Sequence, residues 1–168
     1  MYKNRSKGLI LSSPAVSLSN PSKGFTLIEL LVVIAIIGIL SAVVLASLNT
    51  ARSRGNDAAI QSNLATIRTQ AELYYGGAGN NSYAADGNAG NTCAVDVFSD
   101  SVIAKSITAT EITNGAGTGV ICGSTPTAYA VSSALVAGVG GNMFWCVDSA
   151  GNARSHASAM TAGATVCP

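Results

Sequence analysis

The sequence predicts an α+β fold: a long N-terminal α-helix, with a membrane-spanning half and an amphipathic half, packed on a small antiparallel β-sheet. Three observations predict it. Residues 30–48 carry no charged side chain, enough residues to cross the hydrocarbon core of a bilayer as a helix. Beyond them, Ile60, Leu64, Ile67, Ala71 and Tyr74 recur at steps of four and three, which puts them on one face of a helix. After residue 119 the chain changes to short apolar runs separated by Gly- and Asn-rich turns, the pattern of hairpin-connected strands.

The apolar run begins in Lys23-Gly24-Phe25-Thr26-Leu27-Ile28-Glu29-Leu30. Glu29 stands near one end of the span, where a charged side chain is costly, about 2.5–3.5 kcal/mol at mid-bilayer and less near an end. Residues 1–24 hold Lys3, Arg5, Lys7 and Lys23 with no acid, whereas residues 25–168 hold five basic and eight acidic side chains. Positive charge ahead of the span keeps the N-terminus cytoplasmic and sends the remainder across the membrane. A conventional signal peptide would be cut after the apolar stretch, near Ala46-Ser47-Leu48, and a one-pass anchor would also account for the span. Neither explains Gly24-Phe25 or Glu29.

This segment resembles the processing site of type IV prepilins and the related pseudopilins. The resemblance implies a pilin-like fold and three regions: a cleaved leader at 1–24, a transmembrane or filament-core helix at 25–48, and an exported globular domain at 49–168. That domain would hold an amphipathic helix at 49–75, an αβ-loop at 76–119, and a sheet and disulfide region at 120–168. It implies that a prepilin peptidase cuts between Gly24 and Phe25 and methylates the new Phe25 amine. It also implies that Glu29 pairs with the Phe25 amine of a neighbouring subunit during filament assembly. A glycine before the cut lets the backbone enter a tight protease cleft. Where many family members carry a proline in the span, this chain has Ala46.

Residues 26–75 read as one nearly continuous helix, a rod of about 75 Å at 1.5 Å per residue. Opposite the apolar stripe lie Arg52, Arg54, Asp57, Gln61, Arg68 and Glu72, most of which are expected to face solvent. Gly76-Gly77-Ala78-Gly79-Asn80-Asn81 ends the helix. Residues 100–112 form a second, short helix capped by Asp100 or Ser99, with Val102, Ile103 and Ile107 as its buried side. Asn114-Gly115-Ala116-Gly117-Thr118-Gly119 is a loop and lacks the Lys-Ser/Thr of a phosphate-binding motif. Strands are expected at 120–122, 128–135, 143–148 and 152–155. Gly138-Val139-Gly140-Gly141-Asn142 and Ser149-Ala150-Gly151-Asn152 supply the turns. Phe144 and Trp145 belong to the core and the sheet surface.

Cys93, Cys122, Cys146 and Cys167 all follow the span, and an even number in an oxidising compartment suggests two disulfides. Three connectivities are open. The favoured one is Cys93–Cys122, tying the loop to the sheet, with Cys146–Cys167 pinning the C-terminal segment. A zinc site would need ligands closer in sequence than these cysteines, and His156 is the one histidine. His156 sits among small polar residues and is expected at the surface. Asp86, Asp96, Asp100 and Asp148 are scattered without calcium-loop spacing. No catalytic constellation, cofactor or metal is expected, and dispersed basic residues indicate no nucleic-acid surface.

The resulting expectation is a structural, non-enzymatic subunit of a type IV pilus that polymerises through its N-terminal helix for adhesion, motility or uptake. Its expected partners are further copies of itself, the prepilin peptidase, a pilus assembly ATPase and an inner-membrane platform protein. It would sit in the cytoplasmic membrane before assembly and in an extracellular filament afterwards. The alternatives are a pseudopilin of a type II secretion-like or DNA-uptake machine and a membrane-anchored binding domain that does not polymerise.

Overall fold

A computed structural model describes residues 24–84, 92–115 and 119–168. The leader expected at 1–24, apart from Gly24, lies outside the described residues. So do Asp86 and part of the loop expected at 76–119.

The chain divides into two compact units, residues 1–40 and 41–168. In the first, the described part is the beginning of helix α1, which runs Leu27–Gly76. Every residue from 24 to 52 is exposed. An apolar surface of this extent, left uncovered by the chain itself, requires an environment other than water. By length and composition α1 qualifies as a membrane span.

In the second unit α1 becomes one-sided. Ile60, Leu64, Ile67 and Ala71 are completely buried, and each Ile or Leu contributes about 1.5–3 kcal/mol by leaving water. The expected solvent face needs one correction. Asp57 is buried, because it stands three residues before Ile60 on the same stripe and its carboxylate is taken up by backbone donors of the sheet. The helix ends as Gly79 N–H donates to the Tyr74 carbonyl at 2.7 Å and Asn81 N–H to that of Tyr75 at 2.8 Å. A Cβ on Gly79 would strike the Tyr74 ring and the Ser82 carbonyl, so the turn needs glycine there.

A 3-10 turn, Asp96–Ser99, leads into helix α2, Ser101–Asn114. The Asp100 side chain caps α2, accepting from the N–H groups of Val102 at 2.9 Å and Ile103 at 3.3 Å, a contribution of about 1 kcal/mol. Ile103, Ile107 and Thr110 form its buried face, whereas Val102 is 41% exposed. Val102 lies off that face because the stripe runs 103, 107, 110, so the expectation that it is buried is corrected.

Four strands follow: β1 Ile121–Ser124, β2 Tyr129–Val139, β3 Asn142–Asp148 and β4 Ala153–His156. They form one antiparallel sheet in sequence order. Side chains alternate between its faces. Tyr129, Val131, Leu135 and Val147 join the α1 and α2 side chains in the main core, with Trp145 packed against it. Ala130 and Cys146 point the other way, where Met160, Ala164 and Cys167 cover them. Residues 157–168 therefore close the second face. Gly163 N–H donates to the Cys122 carbonyl at 3.3 Å, and a Cβ on Gly123 would collide with the backbone of Gly163 and Ala164.

Candidate functional site at the start of α1

The sequence places a lone carboxylate at the head of an apolar helix, and the structure gives it a local role. Thr26 and Glu29 form a reciprocal cap. The Glu29 carboxylate accepts from Thr26 N–H at 2.9 Å and from the Thr26 hydroxyl at 2.7 Å. Glu29 N–H in turn donates to the Thr26 hydroxyl oxygen at 3.3 Å. Threonine three residues before glutamate is the capping-box pattern, and a carboxylate in the first turn also faces the positive end of the helix dipole. The signal is legible in Thr26-Leu27-Ile28-Glu29 and was missed in reading Glu29 for its charge alone.

Around this cap, Phe25, Ile28, Glu29, Val32 and Val33 line a shallow apolar groove of about 380 Å³. Phe25 is 84% exposed. The site thus offers one negative charge, held at a known height on the helix, in a surface that is otherwise hydrocarbon. The carboxylate is exposed on the free chain, and a cation brought to it by another chain would meet a stronger Coulomb attraction once that contact excludes water.

Several buried polar groups of the second unit make structural contacts. The β2–β3 register shifts between Ala134 and Val139. There the Asp57 carboxylate accepts from Val136 N–H at 2.5 Å and from Ala137 N–H at 3.1 and 3.2 Å. Asp148, fully buried, accepts from Cys167 N–H at 2.9 Å and from the backbone and side chain of Asn152 at 3.0 and 2.7 Å. Burial pushes its carboxyl up, but these bonds and one from Ala150 N–H outweigh burial and hold it below the usual carboxylate range. Arg154 donates to the Cys167 carbonyl at 2.9 Å. Cys146 and Cys167 are joined by a disulfide, as are Cys93 and Cys122, with Cα–Cα distances of 5.7 and 5.2 Å.

His156 is buried, not at the surface. Its ring stacks on Phe144, centroids 5.7 Å apart. Nδ1 donates to the Ser158 carbonyl, and Nε2 lies 3.1 Å from the Ser132 hydroxyl. Since a carbonyl only accepts, Nδ1 carries a proton. Ser132 is itself fully buried, so this pair links β2 to β4, while the Ser158 contact ties the start of the C-terminal segment to the sheet. On the other face Tyr75, Tyr83 and Tyr129 form a contiguous aromatic row, with centroids 4.6 and 4.8 Å apart. The Tyr83 hydroxyl donates to Glu72 at 3.0 Å. Burial, then the Glu72 hydrogen bond and charge, push the Tyr83 phenol up to about 12.

Comparison with known proteins agrees with the N-terminal reading. Residues 19–45 match the family described as the prokaryotic N-terminal methylation motif. Over 62 residues the chain is 50% identical to the Type IV wide pilus major component PilA4 of Thermus thermophilus, a match covering 37% of this chain and 46% of that protein. The chain therefore spans less than half the length of that relative. No solved structure matches. Through its methylation motif and this relative, the N-terminal part of the chain is similar to type IV prepilins.

Proposed function

We propose that the chain is a structural subunit of a type IV pilus, anchored in the cytoplasmic membrane by α1 and then polymerised through it into an extracellular filament. The observation that carries this reading is a segment, helical from Leu27, that is exposed at every residue from 24 to 52, charge-free from 30 to 48, and headed by Phe25 and a single carboxylate. In the bilayer such a helix satisfies its own backbone and faces lipid. In a filament it exchanges lipid for the same helix of other copies.

Under this reading the prepilin peptidase cuts between Gly24 and Phe25 and methylates the new amine. Glu29 takes that amine from a neighbouring subunit, which neutralises a buried charge and sets the axial register between subunits. Cys93–Cys122 and Cys146–Cys167 staple the outer domain against the filament's surroundings. An assembly ATPase and an inner-membrane platform protein drive addition of subunits. The role is mechanical; no reaction is assigned to the chain.

The test is mass spectrometry of filaments sheared from cells. An abundant methylated peptide beginning at Phe25 is the expected result. The same peptide confined to the cell envelope would make the chain a pseudopilin, and an intact 1–24 segment on exported protein would make it a plain anchored domain. Glu29→Ala should be processed normally and assemble poorly.

A further inference from the structure

The tip of the β2–β3 hairpin has no role in the filament reading, and its composition is unusual for a surface. Val136, Val139 and Met143 are 38%, 41% and 44% exposed, and residues 112–147 contain no charged side chain at all. Loops and turns exposed to water are ordinarily polar. This one holds Gly138, Gly140, Gly141 and Asn142.

Two contacts give its height along α1. The Tyr129 hydroxyl donates to the Arg68 carbonyl at 3.4 Å, and Val136 N–H donates to Asp57 at 2.5 Å. As β2 advances from 129 to 136, its contact on α1 moves back from 68 to 57, about 16 Å along the helix axis. Continued to Gly140 at the same gradient, the tip comes level with roughly residue 51 of α1, about 5 Å beyond Leu48. The polar layer outside the hydrocarbon core is about 5–7 Å deep on each side.

The charges at that level share one sign. Gly138 and Val139 line a cleft of about 290 Å³ with Arg54, Asp57, Ala58 and Gln61. Asp57 is buried and engaged by the Val136 and Ala137 N–H groups, whereas Arg52 and Arg54 are exposed. A second copy's apolar helix offers these arginines one carboxylate, Glu29, between residues 25 and 51. A bilayer surface on the exported side that contains anionic lipid offers phosphates everywhere along it.

We propose that the β2–β3 hairpin tip is a second, interfacial membrane contact of the unassembled subunit. Val139 and Met143 enter the headgroup layer of a membrane containing anionic lipid, and Arg52 and Arg54 rest on its phosphates. The inference builds on the reading of residues 30–48 as a span. It gives the subunit two points of attachment, a buried helix and a shallow hairpin, so that rotation about the helix axis is restrained.

The test uses the full chain carrying Trp145→Phe, which removes the single tryptophan, with one tryptophan introduced as Val139→Trp, Met143→Trp or Leu40→Trp. Each protein is reconstituted into phosphatidylcholine–phosphatidylglycerol vesicles whose lipids carry bromine either near the headgroup or near the bilayer centre. The expected result is blue-shifted emission from Val139→Trp and Met143→Trp, quenched more by the shallow bromines than by the deep ones. That quenching should fall when phosphatidylglycerol is omitted or when Arg52→Gln and Arg54→Gln are added. Leu40→Trp should be quenched most by the deep bromines. Quenching of Leu40→Trp with unquenched, water-like emission from both tip variants overturns the hairpin contact and leaves the span standing. Quenching of none of the three overturns both. A tip blue shift without quenching, growing with the protein-to-lipid ratio, assigns the tip to a second copy and also overturns the proposal.

Discussion

The carboxylate of Asp57 on α1 accepts the backbone N–H of Val136 on β2 at 2.5 Å, and that of Ala137 as well. These donors lie where the β2–β3 register shifts. A side chain of the helix thus supplies acceptors at an irregularity of the sheet, and the two elements specify one another's position.

Removing that acceptor should be among the most damaging single changes in the second unit. Asp57→Ala leaves two part-buried N–H groups without their carboxylate acceptor, at a cost of about 1–3 kcal/mol. Asp57→Asn keeps one acceptor oxygen and should cost about half as much. Urea unfolding of the oxidised protein in detergent measures both; equal, small losses would show that the bulge finds other acceptors.

The observed cap role of Glu29 and its proposed filament contact are separable. Thr26→Ala removes the reciprocal cap but leaves the charge, and should weaken the first helical turn by about 1 kcal/mol. Faster amide exchange at residues 28–30 reads that loss. Filament yield should fall far less than with Glu29→Ala; equal loss from both variants would mean that Glu29 acts through the cap.

Acid should destabilise the protein through Asp148. Its folded carboxyl is held below the unfolded value of about 3.9. Its contribution is therefore complete above about pH 4 and is lost as pH falls through the folded value. The melting temperature of Asp148→Asn, lower at neutral pH, should vary less across that range than that of the unaltered protein.

Alkali acts through Tyr83 in the opposite direction. Its phenol is pushed from an ordinary value near 10 up to about 12, so ionisation is opposed by folding. The contribution is complete below about pH 10 and is lost as pH rises to about 12. Tyr129, also raised by burial first and then by Glu72, extends the same limb. Tyr83→Phe should flatten it in melting curves taken from pH 9 upward.

Breaking the link between Cys146 and Cys167 should uncover the second face of the sheet. Serine at both positions should cost about 2–4 kcal/mol. Met160, 2% exposed, then becomes open to peroxide, and sulfoxide at Met160 measured by mass spectrometry reports the release. A protected Met160 in that variant would show that Asp148 and Arg154 hold residues 157–168 without the bond.

The α+β architecture was legible because its signals are local. A charge-free run identifies the apolar half of α1, a four-and-three stripe its second half, and Asp100 the start of α2. Asp57 was misjudged although its position satisfies the same stripe, because a carboxylate was assigned to solvent by its charge. Its acceptors' donors lie some eighty residues away, beyond any local pattern. His156 was misjudged for the same reason: what encloses it is a segment that folds back across the sheet. Asp148 looked like one scattered acid because Cys167, whose N–H it accepts, lies nineteen residues further on, although Asn152 stands in the adjoining turn. At the head of α1, Thr26-x-x-Glu29 was in plain view, but the charge in an apolar run drew attention from the cap.

The strand order β1-β2-β3-β4 has a kinetic consequence. Each strand pairs with its neighbours in sequence, across connections of four, two and four residues at 125–128, 140–141 and 149–152. Hairpins of this kind close in about 1–10 μs, so the sheet assembles from short-range encounters. Joining Cys93 to Cys122 and Cys146 to Cys167 takes about seconds to hours, according to the oxidant. The time needed to reach the finished fold is consequently governed by the supply of oxidising equivalents where the chain emerges, and not by the search for its topology.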